Sequence, residues 1–151
     1  MLKKLLLITA ISTTALFSYE VGDRVDAEIA KQLNIKDEKV YVVDFFASWC
    51  ASCKIELPLI SALDKQLDKS KYKIIGVNCD KKINKGKDFV KKLNLPFDIV
   101  YDNKSKIISK FAPIGVPAIY YIKDLKVEKV IFGAVHNIDQ KIQNDLKNIG
   151  E

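Results

Sequence analysis

Two cysteines one helical turn apart, Cys50 and Cys53 in Trp49-Cys50-Ala51-Ser52-Cys53, are the residues of this chain best suited to chemistry. They follow the apolar run Tyr41-Val42-Val43-Asp44-Phe45-Phe46, and the segment after them, Lys54-Ile55-Glu56-Leu57 onward, has helical composition. A strand that feeds a helix through this spacing sets the first sulfur at the helix N-terminus. Free backbone N–H groups and the positive end of the macrodipole favour a thiolate there. Such a placement lowers a cysteine pKa from about 8.5 to between roughly 3.5 and 7.5. The thiolate is the attacking species in disulfide exchange, so the spacing and its context imply redox chemistry.

Roles follow from position. Cys50, at the helix start, is expected to be exposed and nucleophilic; Cys53, deeper in the first turn, is expected to resolve a mixed disulfide. Asp44 stands mid-strand among valines and phenylalanines, where burial raises a carboxyl pKa and suits it to relay a proton to Cys53. A structurally satisfied buried acid is the alternative. Glu56 lies one turn beyond Cys53 on the same side of the helix, where an exposed surface glutamate is the ordinary expectation. A third thiol, Cys79, follows an apolar strand and reads as a small buried hydrophobe. Cys79 and His136 could complete a Cys₃His zinc set with the dithiol, but structural zinc sites repeat local ligand pairs and these two are isolated, so no metal is expected. No cofactor is expected either.

The elements that must position these residues read in order. Val25 to Leu33 has helical composition, and Lys39 to Phe46 is a strand apolar on both faces, as in the centre of a covered sheet. Ser52 to about Leu67 is helical, with Leu57, Ile60, Leu63 and Leu67 as its stripe and Pro58 expected to kink it. A strand over Tyr72 to Val77, a helix over Ile83 to Leu93, a short strand over Phe97 to Tyr101 and a short helix over Ser105 to Phe111 follow. Ala118 to Ile122 and Val127 to Phe132 pair antiparallel across a short turn. Asn137 is placed to cap a last helix that buries Ile138, Ile142, Leu146 and Ile149. The order makes an α/β fold with a mixed central sheet flanked by helices.

The 151 residues suit one domain after a short leader. Met1-Leu2-Lys3-Lys4 is a basic start and Leu5 to Phe17 a largely apolar stretch with small residues near its end. That pattern predicts a signal peptide over residues 1–18, cleaved after Ser18, ahead of a domain over 19–151. An uncleaved membrane anchor is the alternative; export, to a periplasm, is common to both. The formal net charge is +6, and loss of Lys3 and Lys4 leaves about +4, nearly all of it lysine. Scattered lysines, as from Lys81 to Lys92, mark a solvated face, and with Arg24 the single arginine, nucleic-acid binding is not expected. Three cysteines with 48% apolar residues are better explained by chemistry than by stapling.

These features resemble the thioredoxin superfamily over nearly all of the region after the leader. Asp44 stands six residues before Cys50, where the family carries a buried acid; Trp49 precedes the dithiol; Pro58 follows Cys53 by five residues; Val116-Pro117 opens a strand; and Gly133 follows the last strand. The stretch from Ile75 to Asp102, with its extra helix, looks like the exported TlpA-type branch, which includes cytochrome c biogenesis reductases of the ResA and CcmG type. The resemblance implies a thioredoxin fold and a functional Glu56 that tunes the thiols and handles protons. It further implies a cis Val116–Pro117 bond and a substrate strand laid along Val116 and Pro117, with Trp49 shielding the dithiol. It also implies a thiol-disulfide oxidoreductase that takes electrons from a membrane thiol transporter and reduces disulfides of exported proteins, with apocytochrome c as a client; a monomer is expected apart from the resemblance. Ala51-Ser52 has neither the proline of typical reductants nor the Pro-His pair of strong oxidants, so a general oxidant or repair factor, or a redox-inactive peptide-binding module, remains open.

Overall fold

The computed structural model describes residues 18–36 and 38–151. Residues 1–17 of the expected leader lie outside the described residues, and Ser18, its last residue, lies within them. Among the described residues no helix is long and apolar enough to cross a membrane.

Strand β1 (Val40–Phe46) is built from β-branched and aromatic residues and is buried along its whole length. It sits at the centre of a five-stranded sheet of order β3-β2-β1-β4-β5, where β2 is Tyr72–Asn78, β3 Asp98–Tyr101, β4 Ala118–Lys123 and β5 Lys126–Phe132. β2 and β3 run parallel to β1; β4 runs antiparallel to β1 and β5 antiparallel to β4, so β4 alone opposes the other strands and the sheet is mixed as expected. Helices cover both faces. Alternation along β1 sends Val43 and Phe45 to one core with helix α1 (Ala27–Gln32) and Phe111 of α4 (Ile108–Phe111). It sends Val42 and Phe46 to the other core, with α2 (Ala51–Asp64), Phe89 of α3 (Ile83–Leu93) and α5 (Ile138–Gly150). The dithiol belongs to this second core.

Local differences from the sequence reading have identifiable causes. α2 contains Pro58, as expected, and ends at Asp64 rather than near Leu67. α4 begins at Ile108, not Ser105, because the Asp102 carboxylate accepts the N–H groups of Lys106, Ile107 and Ile108 at 2.8–3.0 Å and holds the chain there as a turn. Asn137 does not cap α5 with its side chain; it takes the left-handed conformation, φ 54°, a role asparagine tolerates better than most residues.

One close approach fixes α3 on the sheet. A Cβ on Gly86 would stand 2.1 Å from Oδ1 of Asn78, a fully buried side chain that itself donates to Asp80. Gly86→Ala is therefore expected to lower unfolding free energy by about 2 kcal/mol, the overpacking cost exceeding alanine's helical gain of about 1 kcal/mol. Urea titration checks this; unchanged or raised stability would contradict the packing described.

Candidate active site

The chain leaves β1 at Phe46 and turns through Ala47, Ser48 and Trp49 into α2, so the strand end aims Cys50 at the helix cap. Cys50 is the N-cap residue: its backbone is extended and its sulfur accepts the N–H of Cys53 at 3.2 Å. Cys50 and Cys53 form a disulfide, with Cα atoms 5.3 Å apart. Across from it, the Val116–Pro117 bond is cis, and the Val116 carbonyl oxygen lies 3.6 Å from the Cys50 sulfur. The Ser52 hydroxyl lies equally close, at 3.6 Å. These neighbours correct one expectation: Cys50 is only 5% exposed, because the loop before β4 and the first turn of α2 close over it.

Two carboxyl groups are buried on the elements that flank the dithiol, Asp44 on β1 and Glu56 on α2. Asp44 follows Val42 and precedes Phe46 by the two-residue period, so it points to the α2 face of the sheet. Its Oδ1 has no hydrogen-bond partner, and burial, then the nearby Glu56 charge, push its pKa up to about 8. Glu56 is not the surface residue its spacing suggested. It is 4% exposed, and its Oε1 accepts the Val135 N–H at 2.6 Å. Burial raises its pKa and the Val135 bond works against that rise. Burial therefore favours the protonated form of both carboxyls.

On the far side of Cys50, Asp80 holds the loop. Its carboxylate accepts the Ser48 N–H at 2.9 Å and the Ser48 hydroxyl at 2.6 Å, and also takes the Asn78 amide at 2.8 Å. Sequence reasoning missed Asp80 and Ser48; the polar pair Asn78 and Asp80 at the end of an apolar strand was the signal available. Trp49 is 69% exposed and lines a shallow pocket with Cys79, Asp80, Lys81, Lys82 and Lys85, a pocket that neither paired cysteine lines. Its indole is largely open to solvent. Cys79 is a free, half-buried thiol packed on the other core, and burial followed by the Asp102, Asp44 and Asp80 charges pushes it up to about 12. His136 is exposed, and no cluster of metal-ligating side chains occurs among the described residues.

The model of the AhpC/TSA family matches residues 17–129. The chain belongs to the AhpC/TSA family. It is similar to the thiol-disulfide oxidoreductase ResA of Bacillus cereus (strain ZK / E33L), 30% identical over 106 residues that cover 68% of this chain and 61% of that protein. It is also similar to sporulation thiol-disulfide oxidoreductase A of Bacillus subtilis, 27% identical over 96 residues, covering 61% and 58%. The chain thus spans about three fifths of the length of these relatives. Among solved structures, StoA from Bacillus subtilis superposes with a TM-score of 0.63 at 25% identity, covering 72% of this chain and 84% of that one. A thiol:disulfide interchange protein DsbE of Chlorobium tepidum reaches a TM-score of 0.77 at 18% identity, covering 89% of this chain and all of that one. That likeness shows the thioredoxin fold. Within this AhpC/TSA member, the dithiol and the cis-proline that opens β4 occupy one end of the sheet, and Asp44 lies within its central strand.

The buried acids set a pH dependence. A carboxyl whose folded pKa stands above its unfolded value keeps its proton longer in the native state, so its contribution favours folding at low pH and is lost as pH rises. For Asp44 that window runs from about 3.8 to about 8. Asp44→Asn is expected to raise stability by several kcal/mol at pH 8.5, at about 1.4 kcal/mol per pKa unit, and by little at pH 4. Denaturation at the two pH values checks this; an equal effect at both would contradict a protonated Asp44. In the oxidised protein, Cys79 is expected to resist iodoacetamide at pH 8, measured by mass spectrometry, whereas rapid labelling would contradict its raised pKa.

Proposed function

We propose that this chain is an exported thiol-disulfide oxidoreductase that reduces disulfides in periplasmic proteins. The observation that carries the reading is the Cys50–Cys53 disulfide at the α2 N-terminus, opposite the cis Val116–Pro117 strand, with Asp44 and Glu56 buried on the adjoining β1 and α2. In the reduced protein, Cys50 is the attacking thiolate, stabilised by the Cys53 N–H and the helix end. It bonds to one sulfur of the client disulfide, whose other sulfur leaves as a thiolate and takes a proton. Cys53 then passes its proton to the Asp44 carboxylate and attacks the Cys50 sulfur. The second client thiol is released, protonated through Asp44 and Glu56. The client gains two electrons and two protons, and the chain returns to its disulfide form.

Val116 and Pro117 give the client an extended edge: the Val116 carbonyl already faces the Cys50 sulfur, and Pro117 is buried where β4 begins. Trp49 offers a large exposed contact on the opposite side. The oxidised chain is recharged by a dithiol donor, for which a membrane thiol transporter is the class suited to an exported protein. The basic start and apolar stretch of residues 1–18 support export, and ResA and StoA among the relatives support the reaction class. Apocytochrome c, with its paired haem-attachment cysteines, is the client of first choice. No nucleic acid, metal or cofactor enters the scheme, and a monomer suffices for it.

Insulin reduction with a measured potential tests the reaction. Reduction at a potential near −270 mV, that of thioredoxin, is expected; a value near −120 mV would make the chain an oxidant, and no exchange would leave a peptide-binding module. Cys53→Ser is expected to accumulate mixed disulfides with clients, and apocytochrome c among them would identify the pathway. Glu56→Gln is expected to move the pH midpoint of exchange by about one unit. An unmoved midpoint and unchanged rates would remove Glu56 from the chemistry.

A further inference from the structure

The lysines of residues 81–92 are not spread evenly over a solvated face. β2 runs parallel to β1, so the chain leaving it reaches the same end of the sheet as Cys50, and the Ser48–Asp80 bonds tie the two loops together. Between them lies the pocket of about 310 Å³ whose wall is Trp49 and Cys79 and whose rim is Lys81, Lys82 and Lys85. All three lysines are exposed, and none forms an ion pair among the described residues. Elsewhere lysines do find carboxylates: Lys129 and Lys141 share Asp145, and Lys73 meets Asp98. At the rim the one carboxylate within the pocket, Asp80, is committed to Ser48 and Asn78. α3 starts directly from Lys82 with no side-chain cap and no acid in its first turn, which adds positive potential of the same sign. The nearest acid on that helix, Asp88, stands one turn further on.

We propose that this lysine-rimmed, tryptophan-walled pocket docks an acidic segment of the client polypeptide, adjacent to the disulfide that Cys50 attacks. The proposal deepens the oxidoreductase reading and rests on it. Charge complementarity selects the occupant: three unpaired ammonium groups favour carboxylates, and the exposed indole favours an apolar side chain among them. A polypeptide fits better than an anionic lipid surface because the pocket adjoins Trp49, the residue immediately before the attacking cysteine. A client presenting its disulfide to Cys50 must pass its flanking residues over this rim or over Val116 and Pro117. Such steering raises association rates by about tenfold or more and is screened by salt.

The test compares two disulfide-bridged peptides that differ only in four aspartates or four serines beside one cysteine. Their rates of reduction by the reduced chain are measured at about 0.01 M and about 1 M ionic strength. The acidic peptide is expected to react about tenfold faster at low salt, with the preference vanishing at high salt. The variant Lys81→Gln/Lys82→Gln/Lys85→Gln is expected to bring the rate ratio close to one at low salt. Equal rates for the two peptides with the unaltered chain, or a preference that survives in the variant, would overturn the docking surface while leaving the oxidoreductase reading intact. Binding to phosphatidylglycerol vesicles without any peptide preference would also overturn it, assigning the lysines to lipid. A chain that reduces neither these peptides nor hydroxyethyl disulfide would overturn the oxidoreductase reading and the docking surface with it.

Discussion

The hydrogen bond from the Cys53 N–H to the Cys50 sulfur, 3.2 Å long, is the contact on which the rest of the arrangement depends. It makes a sulfur do the work of an N-cap oxygen, so the helix end and the reactive atom stabilise each other. The surrounding architecture holds that geometry. β1 fixes where the turn begins, Asp80 pins Ser48 from the end of β2, and the Val116 carbonyl limits the sulfur from the side of β4. Three neighbouring strands thus converge on one atom.

Beneath that atom the fold accepts a cost. A carboxyl buried without a hydrogen-bond partner is destabilising once ionised, and Asp44 has an orphaned oxygen at the centre of the sheet. The protonated form avoids the cost, which is why burial pushes its pKa to about 8. Glu56 meets the same condition less severely, because the Val135 N–H supplies a partner. Two buried acids in unlike environments, one on the strand before the dithiol and one on the helix that carries it, are thus both driven toward the protonated form.

Much of this was legible in the sequence because it is local. The run from Val40 to Phe46 announces a buried strand, the cysteine spacing announces a helix start, and Asp44 stands out as an acid among apolar neighbours. What was not legible depends on distant chain. Glu56 is buried by its contact with Val135, 79 residues on, and Cys50 is covered by Val116, 66 residues on, so neither environment is written near its residue. The pocket shared by Trp49 and the gathered lysines follows from β2 running parallel to β1, which places residues 79–85 beside residue 49. Asn137 shows the converse: a good capping residue type whose backbone takes another conformation.

The most direct measurement is the pH dependence of Cys50 alkylation by iodoacetamide in the fully reduced chain, followed peptide by peptide in a mass spectrometer. A sulfur held as an anion by the start of α2 is predicted to label with a midpoint below about 7.5. A midpoint at or above about 8.5, the value of an unperturbed thiol, would contradict the account.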